Sequence, residues 1–235
     1  MPVTQKATPG PSCTMTNASE ILVNAIVGYE NRSVFNPYRD VCREHDVKNA
    51  PDIRTSNLKR ILSAAQDGCD ALWVGRDLGH RGGRRTGLAL TDDAHYHRHL
   101  GRWGLSADPP TADFGTSEVT ASVIWGELSR IDARIFLWNV FPFHPHLPEN
   151  QLSNRPHTRS ERAVGLEILK LLVSLLKPAH LVGIGNDAVS ALQSLNCDAP
   201  VYQLRHPSYG GANIFRVQVR ELYSLPDLDD QLSLL

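Results

Sequence analysis

Four short apolar runs constrain this chain more than any other feature: ALWVG at 71–75, RIFLWNV at 134–140, HLVGIG at 180–185 and PVYQLR at 200–205. Each is short, apolar and bounded by polar or turn-forming residues, which reads as a strand buried on both faces. Segments of helical period lie between and around them. Residues 19–29 place Ile21, Leu22, Ala25 and Ile26 on one face. Residues 55–67 carry a stripe of Leu58, Ile61, Leu62 and Ala65 behind a cap at Thr55 or Ser56. Residues 117–131 follow a cap at Ser117, 160–177 form the strongest helical pattern, 186–195 a short one, and 211–225 a closing helix. A further short helix is expected near Tyr38–His45. Strands alternating with helices predict an α/β fold: a three-layer αβα sandwich around a central, mostly parallel four-stranded sheet.

A chain of 235 residues supports one sizeable core, expected over 19–225, with flexible tails at 1–18 and 226–235. Its formal net charge is −1, so any binding to nucleic acid must come from local basic patches. No run of 18 apolar residues predicts a membrane span, and the first residues lack the apolar stretch of a secretory signal. Cys13, Cys42, Cys69 and Cys197 form no C-x-x-C pair, which argues against a zinc or iron–sulfur site and fits a reducing cytoplasm.

Ligands of such sheets bind beyond the carboxyl ends of the strands. The residues there are Arg76–Asp77, Asn139–Val140, Gly185–Asn186 and Arg205–His206. An Asp, an Asn and a His are thereby expected at one rim. The stretch after the first strand, GRDLGHRGGRRTGLALT at 75–91, holds five glycines and four arginines. Little in it suits a core, and it reads as a loop that grips phosphate through Arg81, Arg84, Arg85 and the amides near Gly82 and Gly83.

GRDLGH at 75–80, LWNV at 137–140 and RHPSYGG at 205–211, in this order on strand ends, resemble the uracil-DNA glycosylase superfamily over roughly residues 55–225. The first motif is similar to the G-Q-D-P-Y-H of classical uracil-DNA glycosylases, and GLAL at 87–90 stands where their G-L-x-F segment does. GHRGGRRTG is similar to the G-x-N-R-T-G of the cluster-bearing branch. The resemblance implies a monofunctional enzyme that flips uracil out of DNA and hydrolyses its N-glycosidic bond in base-excision repair. It implies Asp77 as the group that orients water and stabilises the cationic sugar. It implies His206 as the donor to uracil O2, and Asn139 as the reader of uracil N3–H and O4. Leu90 stands at the position of the stacking Phe, and Gly79 at that of the Tyr that blocks a thymine methyl. The pocket then admits 5-substituted uracils unless His80 or Phe141 fills the gap. Ser208 would bind phosphate, Gly210 replaces the wedge Leu, and Tyr209 would fill the duplex hole. The expected partner is uracil-containing DNA, with no membrane, metal or organic cofactor, for a cytoplasmic monomer.

Plainer readings exist for each residue. Asp77 and His206 could serve turns, the arginines could be a solvated loop, and Asn139 could satisfy backbone groups. His95 and His99 could share a helical face for a metal, but no third ligand has a known spacing. His144 and His146 flank Pro145 and fit a pocket or loop better than a metal site. GIGNDA at 183–188 matches the G-x-G-x-x-A dinucleotide fingerprint, so a nicotinamide-binding enzyme is one alternative; tight strand–helix turns also demand such glycines. A protein that traps uracil-DNA without turnover, with His80 near the first motif, is another. No G-x-S-x-G elbow supports a serine hydrolase.

Overall fold

The structure is a computed structural model that describes residues 17–226. In chain order the elements are α1 (Asn17–Val27), β1 (Val34–Phe35), α2 (Ala50–Gln66), β2 (Ala71–Asp77), α3 (Gly83–Thr86), α4 (Tyr96–Gly101), α5 (Val119–Leu128), β3 (Ile135–Phe141), β4 (His144–Pro145), α6 (Arg159–Leu176), β5 (His180–Ile184), α7 (Asn186–Gln193), β6 (Val201–Leu204) and α8 (Ala212–Tyr223). A 3₁₀ turn at Asp93–His95 leads into α4.

Four strands form one sheet in the order β3-β2-β5-β6, and every neighbouring pair is parallel. The expected αβα architecture is therefore the one observed. Alternation along each strand builds two cores. Leu72 and Val74 of β2 join Phe136 and Trp138 of β3 under α1, α2, α6 and α7. Ala71 and Trp73 join Leu137, Val182 and Leu204 under α5 and α8. The Trp73 indole N–H donates to the Tyr223 hydroxyl at 2.8 Å and ties α8 to the sheet. The short strands β1 and β4 pair antiparallel outside the sheet.

Three sequence expectations change. The segment around Tyr38–His45 forms turns instead of a helix. Asp40 and Asp46 accept the backbone N–H groups of Asn36 and Cys42 through their side chains, a local bond that competes with helix. Helix α2 starts at Ala50, ahead of the expected Thr55 or Ser56 cap, because Pro51 suits its first turn. Asn17 and Ala18 belong to α1 instead of a tail; the remainder of the expected N-terminal tail and residues 227–235 lie outside the described residues. No helix among the described residues is long and apolar enough to cross a membrane.

Candidate active site at the strand ends

In β2, Asp77 is the last residue, and its carboxylate side chain is only 7% exposed. Its Oδ2 accepts from Arg76 Nε at 2.7 Å, and its Oδ1 accepts from His157 Nδ1 at 2.5 Å. His157 precedes α6, and its side chain is 5% exposed. Its Nε2 faces Asp187 Oδ2 at 3.4 Å, an ion-pair distance that does not align as a hydrogen bond. Asp77, His157 and Asp187 thus form a chain from the end of β2 to the start of α7.

Asn139 lies opposite Gly75 in the β2–β3 register and is 1% exposed. One amide atom lies 3.2 Å from the backbone carbonyl of Asp77 and must therefore be the NH₂. The other atom, Oδ1, is consequently an acceptor, and it is buried with no partner. Gly75 leaves this group its room. A Cβ there would stand 2.8 Å from both Asn139 Nδ2 and Leu90 Cδ2. Leu90 itself sits at φ 55°, and its carbonyl accepts the Trp125 indole N–H at 3.1 Å. The backbone is held in a left-handed turn that brings the Leu90 side chain against Gly75 and Asn139.

His206 follows β6 and packs against Gly185 at the end of β5, where a Cβ would be 3.4 Å from His206 Cβ. The Ser208 backbone N–H donates to His206 Nδ1 at 3.2 Å, and Ser208 Oγ lies 2.8 Å from the same nitrogen. A backbone N–H can only donate, so Nδ1 is bare and the proton sits on Nε2. Burial, followed by the cationic Arg76 and Arg205, holds this imidazole below its usual pKa. The result is a neutral ring with an N–H free to donate. The next residues form a tight turn: Tyr209 at φ 51° and Gly210 at φ 74°. The Tyr209 side chain is thrown outward and is 96% exposed.

The arginine loop is not what its composition suggests. Arg81 is exposed, but Gly82 to Ala89 are buried. Arg84 places its guanidinium 4.0 Å from the centroid of the Phe35 ring. Arg85 bonds Asp93 Oδ2 through Nε (2.9 Å) and Nη2 (2.7 Å), and Asp113 Oδ1 at 2.8 Å. With 2% and 3% exposure, neither Arg84 nor Arg85 reaches a phosphate, which corrects the expectation for both. The amide of Gly82 is also engaged, donating to the Gly79 carbonyl at 3.3 Å. Helix α3 folds Arg84 and Arg85 inward, and the buried Asp93 together with the more exposed Asp113 neutralises Arg85.

The gap at Gly79 is filled by a residue the sequence reading did not consider. A Cβ at Gly79 would lie 3.3 Å from Glu118 Oε1, and one at Gly82 would collide with Glu118 Oε2 at 2.5 Å. Burial and the nearby Asp92 raise the Glu118 carboxyl above its ordinary range. Neither expected filler takes the place. Phe141 is fully buried against Tyr29 and Phe143. His80 ends the first motif, its backbone N–H donates to Asn154 Oδ1 at 3.0 Å, and burial lowers its imidazole pKa.

The other histidines have internal roles. His95 bonds Asp92 Oδ1 at 2.6 Å and stacks on Trp125, while His99 meets the Thr91 hydroxyl at 2.8 Å in the core. His144 bonds the Leu78 carbonyl at 2.8 Å, so it supports the first motif from behind. No group of three His, Cys, Asp or Glu among the described residues is placed to hold a metal. The glycines of GIGNDA serve the β5–α7 turn: a Cβ at Gly183 would meet Val189 backbone and side-chain atoms at 2.6–2.8 Å. A cavity of about 220 Å³ opens elsewhere, at the start of β3, lined by Arg102, Trp103, Asp132, Arg134 and Ile135 among others. The functional groups argue for the other end of the sheet, because the backbone carbonyls of Leu128, Ile131 and Ala133 already occupy the Arg102 guanidinium.

No family model and no curated protein matches the chain. Among solved structures it is similar to SMUG2 of Pedobacter heparinus, with a TM-score of 0.61 at 12% identity over 94% of this chain and 100% of that one. UNG of Nitratifractor salsuginis aligns over 89% of this chain and 96% of that one, at 15% identity and a TM-score of 0.41. With its parallel four-stranded sheet and flanking helices, the chain therefore has the uracil-DNA glycosylase-like fold.

Proposed function

We propose that this protein is a uracil-DNA glycosylase of base-excision repair, cytoplasmic and monomeric, that works on an everted uracil without metal or organic cofactor. The observation that carries the reading is the bare Oδ1 of Asn139, buried without a partner at the strand rim. Leaving a buried acceptor unpaired costs roughly 1–3 kcal/mol, so its retention is explained by a ligand that supplies an N–H donor. Uracil N3–H is such a donor, and the second hydrogen of Asn139 Nδ2 remains for O4. Cytosine presents the opposite pattern on both atoms, a mismatch of about 1–3 kcal/mol.

Bond cleavage then separates charge between sugar and base. The Nε2–H of His206 donates to uracil O2 as negative charge grows there. Asp77, held by Arg76 and His157, keeps its carboxylate beside the sugar, orients water and opposes the positive charge at C1′. Leu90 packs on the base where the resemblance places a ring. Glu118 takes the place beside the base's 5 position and presses on a thymine methyl. Arg81, Ser208, Gly210 and the exposed Tyr209 form the face toward DNA, with Tyr209 in the vacated stack. The fold shared with SMUG2 adds support at the level of architecture.

The test is an oligonucleotide with one labelled uracil, incubated with the protein and split in two. Alkali should cleave one half at the uracil position. A denaturing gel of the other half should show no protein-bound band. An intact strand after alkali refutes the glycosylase, and a bound band without alkali cleavage points to a trapping protein.

A further inference from the structure

His157 was not legible as a site residue, yet it makes the shortest contact to Asp77. Arg76, the other partner of that carboxylate, is a sequence neighbour with a half-exposed side chain, and such exposed pairs restrain weakly. His157 is different because the segment that carries it is fixed on both sides, at Thr158 and at Arg155. Thr158 caps α6 in a reciprocal box with Glu161. Arg155 makes two 2.7 Å bonds to the Glu161 carboxylate and also donates to the carbonyls of Ser33 and His146. The imidazole also packs beside Phe141 with centroids 6.1 Å apart. Its second nitrogen faces Asp187, whose other oxygen lies 3.7 Å from Arg162 Nε. A ring bonded to Asp77 through Nδ1, faced by a carboxylate at Nε2 and packed on Phe141 between Arg155 and Thr158, is held toward Asp77.

We propose that His157, backed by Asp187, is a positioning residue that fixes the rotamer of Asp77 for attack of water on the sugar. The inference rests on the reading of Asp77 given above. The contact directs the His157 Nδ1 proton at Asp77 Oδ1, so the carboxylate plane is set before DNA arrives. The remaining lone pairs of the carboxylate are then aimed instead of free to rotate. Asp187, the acid within GIGNDA, acts through His157 and not on the substrate.

The experiment compares single-turnover uracil release and DNA affinity, at one pH, for the unaltered chain, His157→Leu, His157→Asn and Asp187→Asn. Misplacing a reacting group by about 1 Å can lower a rate about 10²-fold. His157→Leu fills the space but has no donor, so its release step is expected to slow about 30- to 100-fold while DNA affinity stays within about twofold. His157→Asn keeps a short N–H donor toward Asp77 and is expected to recover to within about fivefold of the unaltered rate. If His157→Leu is too unstable to assay, Asp187→Asn, at a partly exposed side chain, is expected to slow release about 3- to 10-fold. The inference is overturned if His157→Leu releases uracil within about threefold of the unaltered chain, if His157→Asn is no faster than His157→Leu, or if Asp187→Asn matches the unaltered rate. Asp77→Ala separates the two levels. An active Asp77→Ala sinks the functional reading itself, whereas an inactive one beside a fully active His157→Leu sinks only the positioning role.

Discussion

Arg85→Ala distinguishes a structural arginine from a DNA contact. In the structure Arg85 neutralises Asp93, whose side chain is 0% exposed, and also reaches Asp113. Truncation removes two of the bonds to Asp93 Oδ2 and leaves that oxygen the N–H groups of Gly115 at 3.3 Å and Thr116 at 3.2 Å. Removing one partner of a buried ion pair costs about 3–5 kcal/mol, a large share of the roughly 5–15 kcal/mol that holds a domain together. With a urea dependence of about 2–3 kcal/mol/M, the unfolding midpoint should fall by about 1–2.5 M. Arg85→Lys should recover only part of this, because an ammonium cannot reproduce the planar fork between two acids. A phosphate contact makes the opposite prediction: stability within about 0.5 kcal/mol, and a salt slope of DNA binding shallower by about 0.9. An unchanged urea midpoint with a flatter salt slope would refute the buried assignment.

Acid should destabilise the fold well above the carboxylate range. Burial pushes His99 down to about 3 and His144 down to about 4, so both stay neutral in the fold where the unfolded chain becomes charged. Their contribution is complete above about pH 6.5 and is lost as pH falls through the unfolded value toward those folded values, about 2 kcal/mol each between pH 7.5 and 5. Urea unfolding at those two pH values checks it; equal stabilities would contradict it. Glu118→Ala should open the space at Gly79 and raise excision of thymine relative to uracil about 10-fold, near the lower end of what one methyl-sized contact discriminates. Product analysis from paired U and T substrates reads this, and an unchanged ratio removes Glu118 from base selection. Tyr209→Ala should leave stability within about 0.5 kcal/mol, since the ring is in solvent, yet weaken binding to uracil-containing duplex by about 1–3 kcal/mol. Fluorescence anisotropy decides it, with equal affinity counting against the wedge.

The sheet was legible because apolar runs with sharp polar ends leave little freedom in where a buried strand starts and stops. Strands β2, β3, β5 and β6 follow from ALWVG, RIFLWNV, HLVGIG and PVYQLR, but β2 runs on to Asp77 and β3 to Phe141, so Asp77 and Asn139 stand within the last residues of their strands instead of beyond them. The roles of Arg84 and Arg85 did not follow, since composition gives charge but not where the partner acids lie. Asp93 and Asp113 reach Arg85 only once the loop after β2 turns back through α3. His157 is 80 residues from Asp77, and no spacing rule links them. What the sequence does carry nearby is TRSE at 158–161, a capping box that fixes the start of α6 and so places the residue before it. Glu118 was hidden for a similar reason: a glycine announces missing volume at position 79, but not which distant side chain fills it. The unpaired Oδ1 of Asn139 is a property of packing alone.

The most direct measurement is the single-turnover rate of uracil release by His206→Ala against the unaltered chain, on one oligonucleotide at one salt concentration. With Nε2–H aimed at the departing base, the variant should be slower by about 10²–10³-fold while DNA affinity holds. Release within about threefold of the unaltered rate would mean that the imidazole at the end of β6 does not stabilise a leaving base, and the account of the strand-end site would fall.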